Sequence, residues 1–251
     1  MALDRTIRKT WGIGLCAALA LAACSRTDTP VAMVKPPEHA ARPLQTVHAE
    51  FTAFETSGSD LGDVLKAIHA SEPTVYDKLV EIAASPSWTG TPGDAMQIGR
   101  PLYLSAFRGK LPYAADKDVN ELIDIQIDMH KALLPSAPLL CSQGEKAELA
   151  EVGKYVPADV LARENRLQAR VIGVADRSVG RATQAEIEDW KARTFKGDEP
   201  RMKGNVYFEL TDPTPEQATA ICDSEMFILE KMRFEKPDRR AYLYRGLMSP
   251  R

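Results

Sequence analysis

Aromatic residues make up only 7% of this 251-residue chain, and its cations (32 Lys plus Arg) nearly balance its anions (35 Asp plus Glu). The net charge of −3 gives no electrostatic reason to hold a polyanion, so no nucleic-acid partner is expected. No uncharged apolar run reaches the ~20 residues that a spanning helix needs, which excludes a multi-span membrane protein. A hydrophobic fraction of 44% with 27% charged residues is that of a globular chain, not of a disordered polymer. Cysteine is scarce at four residues, with no Cys-x-x-Cys spacing, so neither a thioredoxin-type redox pair nor a c-type haem attachment is present.

Short catalytic signatures are missing as well. There is no His-Glu-x-x-His, no Gly-x-Ser-x-Gly, no Ser-x-x-Lys and no glycine fingerprint for phosphates. Asp116-Lys117-Asp118-Val119-Asn120 begins like an EF-hand loop, but its sixth position is Glu121 instead of Gly and its twelfth is Ile127 instead of a bidentate Glu. No metal site and no cofactor are therefore expected, and an enzyme would have to work with dispersed residues.

What is there begins at the N-terminus. Arg5, Arg8 and Lys9 precede thirteen uncharged residues, Trp11 to Ala23, which end in Leu21-Ala22-Ala23-Cys24. A basic segment, a short apolar segment and small residues before a cleavage point describe a secretory signal. The Leu-Ala-Ala-Cys ending resembles the lipobox of bacterial lipoproteins, over residues 1–25 only. The competing reading is an ordinary cleaved signal peptide with a cysteine nearby.

The resemblance implies cleavage before Cys24, a diacylglyceryl thioether on its sulfur and a further fatty acyl group, such as palmitate, on its amino end. With Ser25 instead of Asp after the cysteine, it implies an outer-membrane anchor facing the periplasm. Cleavage removes three cations (Arg5, Arg8, Lys9) and one anion (Asp4), so the net charge moves from −3 to about −5. Cys16 would leave with the signal and Cys24 would be acylated, so Cys141 and Cys222 alone would keep thiols, in an oxidising compartment. A disulfide between them is expected, worth ~3 to 5 kcal/mol in the chain-entropy account. A buried free pair or a redox pair are the alternatives.

Residues 24–50 contain Pro30, Pro36, Pro37 and Pro43 without a sustained apolar period, and read as lipid anchor and flexible tether. Residues 51–251 read as a helical periplasmic domain, an all-α compact bundle of about seven to eight helices. Leu61, Val64, Leu65 and Ile68 follow helical spacing, as do Val75, Leu79, Ile82 and Ala83 beyond Pro73. Thr91-Pro92 starts a third element that Pro101 must interrupt. Asp116 or Asp118 is expected to cap a helix running to Leu134, and another helix follows Pro157. Ser142 with Glu145, Thr183 with Glu186 and Thr214 with Gln217 have capping-box spacing. The alternation of Val206, Phe208 and Leu210 suggests at most one short extended segment near 206–211, without a partner strand.

The 118–134 helix carries the most information. At ~100° per residue its apolar side chains spread over roughly 200°, so it should be central with several neighbours. Gln126 and His130 fall within that arc and are expected to be buried polar groups that find hydrogen bonds, or else the core of a polar site. Glu121, Asp124 and Asp128 lie on the opposite side and read as a solvated face. Arg163, Arg166, Arg170 and Arg177 flank the apolar stripe of their own helix, where intramolecular pairing is favoured over an anion site. The Arg239 to Arg245 segment, with Tyr242 and Tyr244, reads as a closing amphipathic helix.

The resulting expectation is a membrane-anchored lipoprotein that acts by contact with an envelope protein, as a non-catalytic binding or scaffold component. The alternatives are an inhibitor or immunity protein that blocks a cell-wall-directed enzyme, and an enzyme built around His130.

Overall fold

A computed structural model describes residues 41–144, 149–177, 179–207 and 210–248. The lipobox with Cys24, most of the expected tether, Glu145, Phe208 and Glu209 lie outside the described residues.

The described chain is all-α, and no strand occurs in it. Its helices are α1 (Leu44–Glu55), α2 (Asp60–Ser71), α3 (Pro73–Ala84), α4 (Pro92–Ile98), α5 (Arg100–Lys110), α6 (Asp116–Leu133), α7 (Pro138–Gln143), α8 (Leu149–Val152), α9 (Ala158–Ile172), α10 (Gln184–Thr194), α11 (Pro215–Arg233) and α12 (Pro237–Leu247), with 3-10 turns at Leu111–Tyr113 and Glu199–Tyr207. Twelve α-helices among the described residues exceed the seven to eight expected, and the prolines explain most of the difference. Pro73, Pro92, Pro101, Pro138 and Pro237 each lie in the first turn of a helix, where the missing N–H costs nothing. Where the sequence suggests an interruption, the chain restarts.

Other differences have local causes. α1 begins inside the stretch read as tether, because Val47 and Phe51 bury completely against the core. Ser142 is not an N-cap, since it sits within α7 and its hydroxyl donates to the Leu139 carbonyl at 3.0 Å. The N-cap of α6 is Ala115, with Asp116 and Asp118 in the first turn, where negative charge favours the helix dipole. Val206 and Tyr207 close a 3-10 turn instead of opening an extended segment. That turn docks on α11 through Gly204, where a Cβ would lie 2.0 Å from the Ala220 carbonyl oxygen. The Gly204 amide donates to Ser224 Oγ at 2.9 Å, and Ser224 Oγ donates to the Arg201 carbonyl.

The capping boxes at Thr183/Glu186 and Thr214/Gln217 form as their spacing predicts, and Thr91 with Asp94 makes another. Backbone and hydroxyl hydrogen bonds from Thr91 hold the Asp94 carboxyl below its ordinary range, and Thr183 with Tyr242 does the same for Glu186.

α1 to α5 pack mainly on one another, while α6 touches α7, α9, α11 and α12. The two groups join where α2 and α5 lie on α9. One continuous core runs through both, and α6 supplies it with Val119, Leu122, Ile123, Ile125 and Ile127. The central position expected for this helix follows from that wide apolar arc.

Candidate functional site

The expected bridge is present. Cys141 in α7 is joined to Cys222 in α11, with Cα atoms 5.8 Å apart and a sequence separation of 81. Both side chains are buried, so a helix of only six residues is fastened to the long α11.

Beside the bridge lies His130. Its Nδ1 is 2.7 Å from the Gln126 carbonyl and its Nε2 is 3.1 Å from Glu225 Oε2 on α11. The Gln126 side chain accepts a hydrogen bond from the Tyr244 hydroxyl of α12 at 2.8 Å. The pair is half-buried instead of fully buried as expected, and each member finds a hydrogen-bond partner on a different helix. The ligand atoms of His130, Cys141 and Cys222 lie within 4.8 Å of one another. Because the two sulfurs are bonded to each other, no thiolate is available to a metal ion, and the trio is a packed junction in this state.

The acidic row stays partly exposed to solvent, and each of its acids also pairs with an arginine of a neighbouring helix. Asp124 pairs with Arg233 at 3.0 Å, Asp128 with Arg163 at 2.9 Å, and Glu121 with Arg170. Arg170 also reaches the buried Asp118, and Arg166 reaches Asp60 of α2. The arginines of α9 therefore pair within the molecule, and the acids of α6 form seams to α9 and α11. Arg177 lies exposed beyond the end of α9. The C-terminal helix holds Tyr242 and Tyr244 as expected, with Arg239 over the Tyr242 ring at 5.3 Å. Arg245, at the end of that helix, is only 2% exposed. It donates to the Ala114 carbonyl and to Asp116 Oδ1, each at 2.6 Å.

His130 and Cys141 also line a cavity of about 110 Å³ between α5, α6, α7 and α9. Leu104 and Phe107, Leu122, Ile125 and Met129, Leu140, and Leu167 give it an apolar wall. The exposed Gly144 is also in its lining, so it reaches the surface there. Its polar groups are Arg100, Glu164 and Gln168, in addition to Gln126 and His130. Arg100 is 5% exposed and its Nη2 lies 3.3 Å from Glu164 Oε1. Arg100 also hydrogen-bonds Tyr103, whose hydroxyl is pushed up to about 12, chiefly by burial. Gln168 Nε2 donates to Glu164 Oε1 at 2.9 Å.

Sequence reasoning singled out Gln126 and His130 but missed Arg100, Glu164 and Gln168. A signal for two of them exists. On α9, at ~100° per residue, Glu164 and Gln168 fall within the arc of Val160, Leu167, Val171 and Ile172, as Gln126 and His130 do on α6. Arg100 has no such mark beyond standing between Gly99 and Pro101.

Comparison with protein families, with curated proteins and with solved structures finds no match to this chain.

Proposed function

We propose that this protein is a lipid-anchored envelope lipoprotein that acts by binding, as a non-catalytic scaffold or assembly component facing the periplasm. The observation that carries the reading is Leu21-Ala22-Ala23-Cys24 behind a basic segment and a short uncharged run. The Cys141–Cys222 bridge supports it, because structural disulfides persist in oxidising compartments such as the periplasm. So does His130: with Gln126 and Glu225 on its two ring nitrogens, its role is to join helices. Acyl chains on Cys24 would hold the domain at the outer membrane without a spanning helix, and no described helix is long and apolar enough to cross a membrane.

Metabolic labelling with an alkyne fatty acid tests the anchor. The wild-type chain is expected to label and to fractionate with outer membranes, and Cys24→Ala to remain an unlabelled precursor; acylation that persists in Cys24→Ala overturns the anchor. Cross-linking of the lipidated protein in envelopes tests the binding role. A stoichiometric envelope protein is the expected capture, whereas a cell-wall hydrolase whose activity falls on capture replaces the scaffold role with inhibition. Substrate turnover by the purified protein that disappears in His130→Ala overturns the non-catalytic reading.

A further inference from the structure

His130, Cys141 and Cys222 each bring a ligand atom to within 4.8 Å of the other two. Helix packing holds them there in addition to the S–S bond. His130 and Cys141 stand on consecutive helices, and the turn between them is fixed by the Leu134 N–H on the His130 carbonyl and the Ala137 N–H on the Leu133 carbonyl. α6 and α7 both pack on α11, which carries Cys222. His130 adds a second sign. Its two ring nitrogens both face acceptors, the Gln126 carbonyl and Glu225, while a neutral imidazole has one N–H. One nitrogen of the neutral ring therefore sets its lone pair against an oxygen. Turned toward a cation, that lone pair makes a bond, and the remaining N–H keeps its acceptor, the usual outer partner of a metal-bound histidine.

We propose that, once its disulfide is reduced, the junction of α6, α7 and α11 is a zinc site with Cys141 Sγ, Cys222 Sγ and one ring nitrogen of His130 as ligands. Two thiolates and an imidazole are a donor set that suits Zn²⁺, and a d¹⁰ ion imposes no geometry of its own. In a tetrahedral zinc site neighbouring ligand atoms are about 3.5–3.8 Å apart, so the present spacing needs adjustments that side-chain rotation supplies. Three protein donors leave the fourth position to water. His130 and Cys141 line the cavity that reaches the surface at Gly144, which gives the ion a path. A dithiol reductant opens the bridge by thiol–disulfide exchange, forming two protein thiols and leaving as its own disulfide. Zn²⁺ then replaces the two thiol protons, which pass to solvent. The bridge and the metal site are thus alternative states of one junction, and neither depends on the lipid anchor or on a protein partner.

The mature protein, labelled with ¹⁵N-histidine, is reduced with a dithiol, freed of it by anaerobic gel filtration and titrated with Zn²⁺. One of its four histidines is expected to shift its ring ¹⁵N signals saturably at one ion per chain, and the signal to be absent from His130→Gln. Co²⁺ in place of Zn²⁺ should give a thiolate-to-metal charge-transfer band, absent from the oxidised protein and from Cys141→Ser/Cys222→Ser. His130→Gln should keep the two thiolates and bind Co²⁺ about a hundredfold more weakly, at least the cost of losing an outer partner. Helicity is followed throughout: a reduced chain that unfolds and regains its helices with Zn²⁺ supports the site. No histidine shift with Zn²⁺, equal Co²⁺ affinity of wild type and His130→Gln, or helicity lost on reduction and not restored by the ion overturns it.

Discussion

His130 Nε2 lies 3.1 Å from Glu225 Oε2, and this contact joins the centre of α6 to α11 beside the disulfide. The other ring nitrogen faces the Gln126 carbonyl, so both partners are acceptors, and the two hydrogen bonds form together only when both nitrogens carry a proton. His130→Ala is expected to lower stability by about 1–2 kcal/mol, from the lost hydrogen bonds. Because the Glu225 side chain is 41% exposed, a double-mutant cycle with Glu225→Ala should assign less than about 1 kcal/mol to the pair itself. Urea midpoints of the four proteins measure it, and additive single effects would show that the pair contributes nothing.

The bridge should matter more than any single side-chain pair. It spans a sequence separation of 81, for which chain entropy gives about 4.5 kcal/mol, and it fastens α7 where that short helix packs on α11 and α6. A Cys141→Ser/Cys222→Ser protein is expected to lose a large part of that stability. Peptide mapping without reductant should recover the two cysteines in one linked peptide pair; equal melting temperatures of the reduced and oxidised wild-type protein would contradict the stabilising role.

Arg245 satisfies the carbonyl of the fully buried Ala114 and pairs with Asp116 in the first turn of α6. Arg245→Met keeps the apolar stem but leaves that carbonyl without its donor, and should cost about 2–3 kcal/mol. Lysine should rescue it only in part, because an ammonium cannot reproduce the guanidinium fork. Denaturant unfolding of the two variants checks the order; a Lys variant as stable as wild type would refute it.

Alkaline pH should find Tyr103. Burial, opposed by Arg100 and reinforced by Glu164, pushes its hydroxyl from the ordinary 10.0 up to about 12. The folded state therefore holds the proton more tightly than the unfolded state. Its contribution is complete below pH 10 and is lost as pH rises from there through 12, about 2–3 kcal/mol in all. Tyr103→Phe should flatten the alkaline limb of the stability profile in that window, measured by urea midpoints against pH. An unchanged limb would show that Tyr103 ionises as freely when folded as when unfolded.

The parts of the fold legible in sequence are those that depend on neighbours within a turn or two. Thr183/Glu186 and Thr214/Gln217 form their capping boxes because both partners lie within four residues. The wide apolar arc of α6 marks it as central for the same reason, since periodicity alone decides which side chains share a face. Prolines were half legible: a proline announces a break, but whether the chain then stops or begins another helix depends on what the next turn can bury. α1 shows this, since Val47 and Phe51 acquire a core only when α2 and α3 fold against them.

The candidate site was legible only as one half of each pair. Gln126 and His130 could be placed within an apolar arc, yet Tyr244 and Glu225, which satisfy them, stand 118 and 95 residues away. Glu121, Asp124 and Asp128 are as polar as a solvated face requires and stay partly exposed, but their ion pairs depend on the arginines of α9 and α11.

By itself, then, the sequence determined that this chain is helical, where several of its helices start, and that Cys141 and Cys222 were the candidates for a bridge. The tertiary structure alone decided that Arg245 enters the core, which acids and bases meet, and that Glu164 and Gln168 line a cavity with Gln126 and His130. The physical reason is range. Helix propensity, capping and periodicity act over a few residues, whereas burial, ion pairing and the shape of a cavity are set by side chains brought together from opposite ends of the chain.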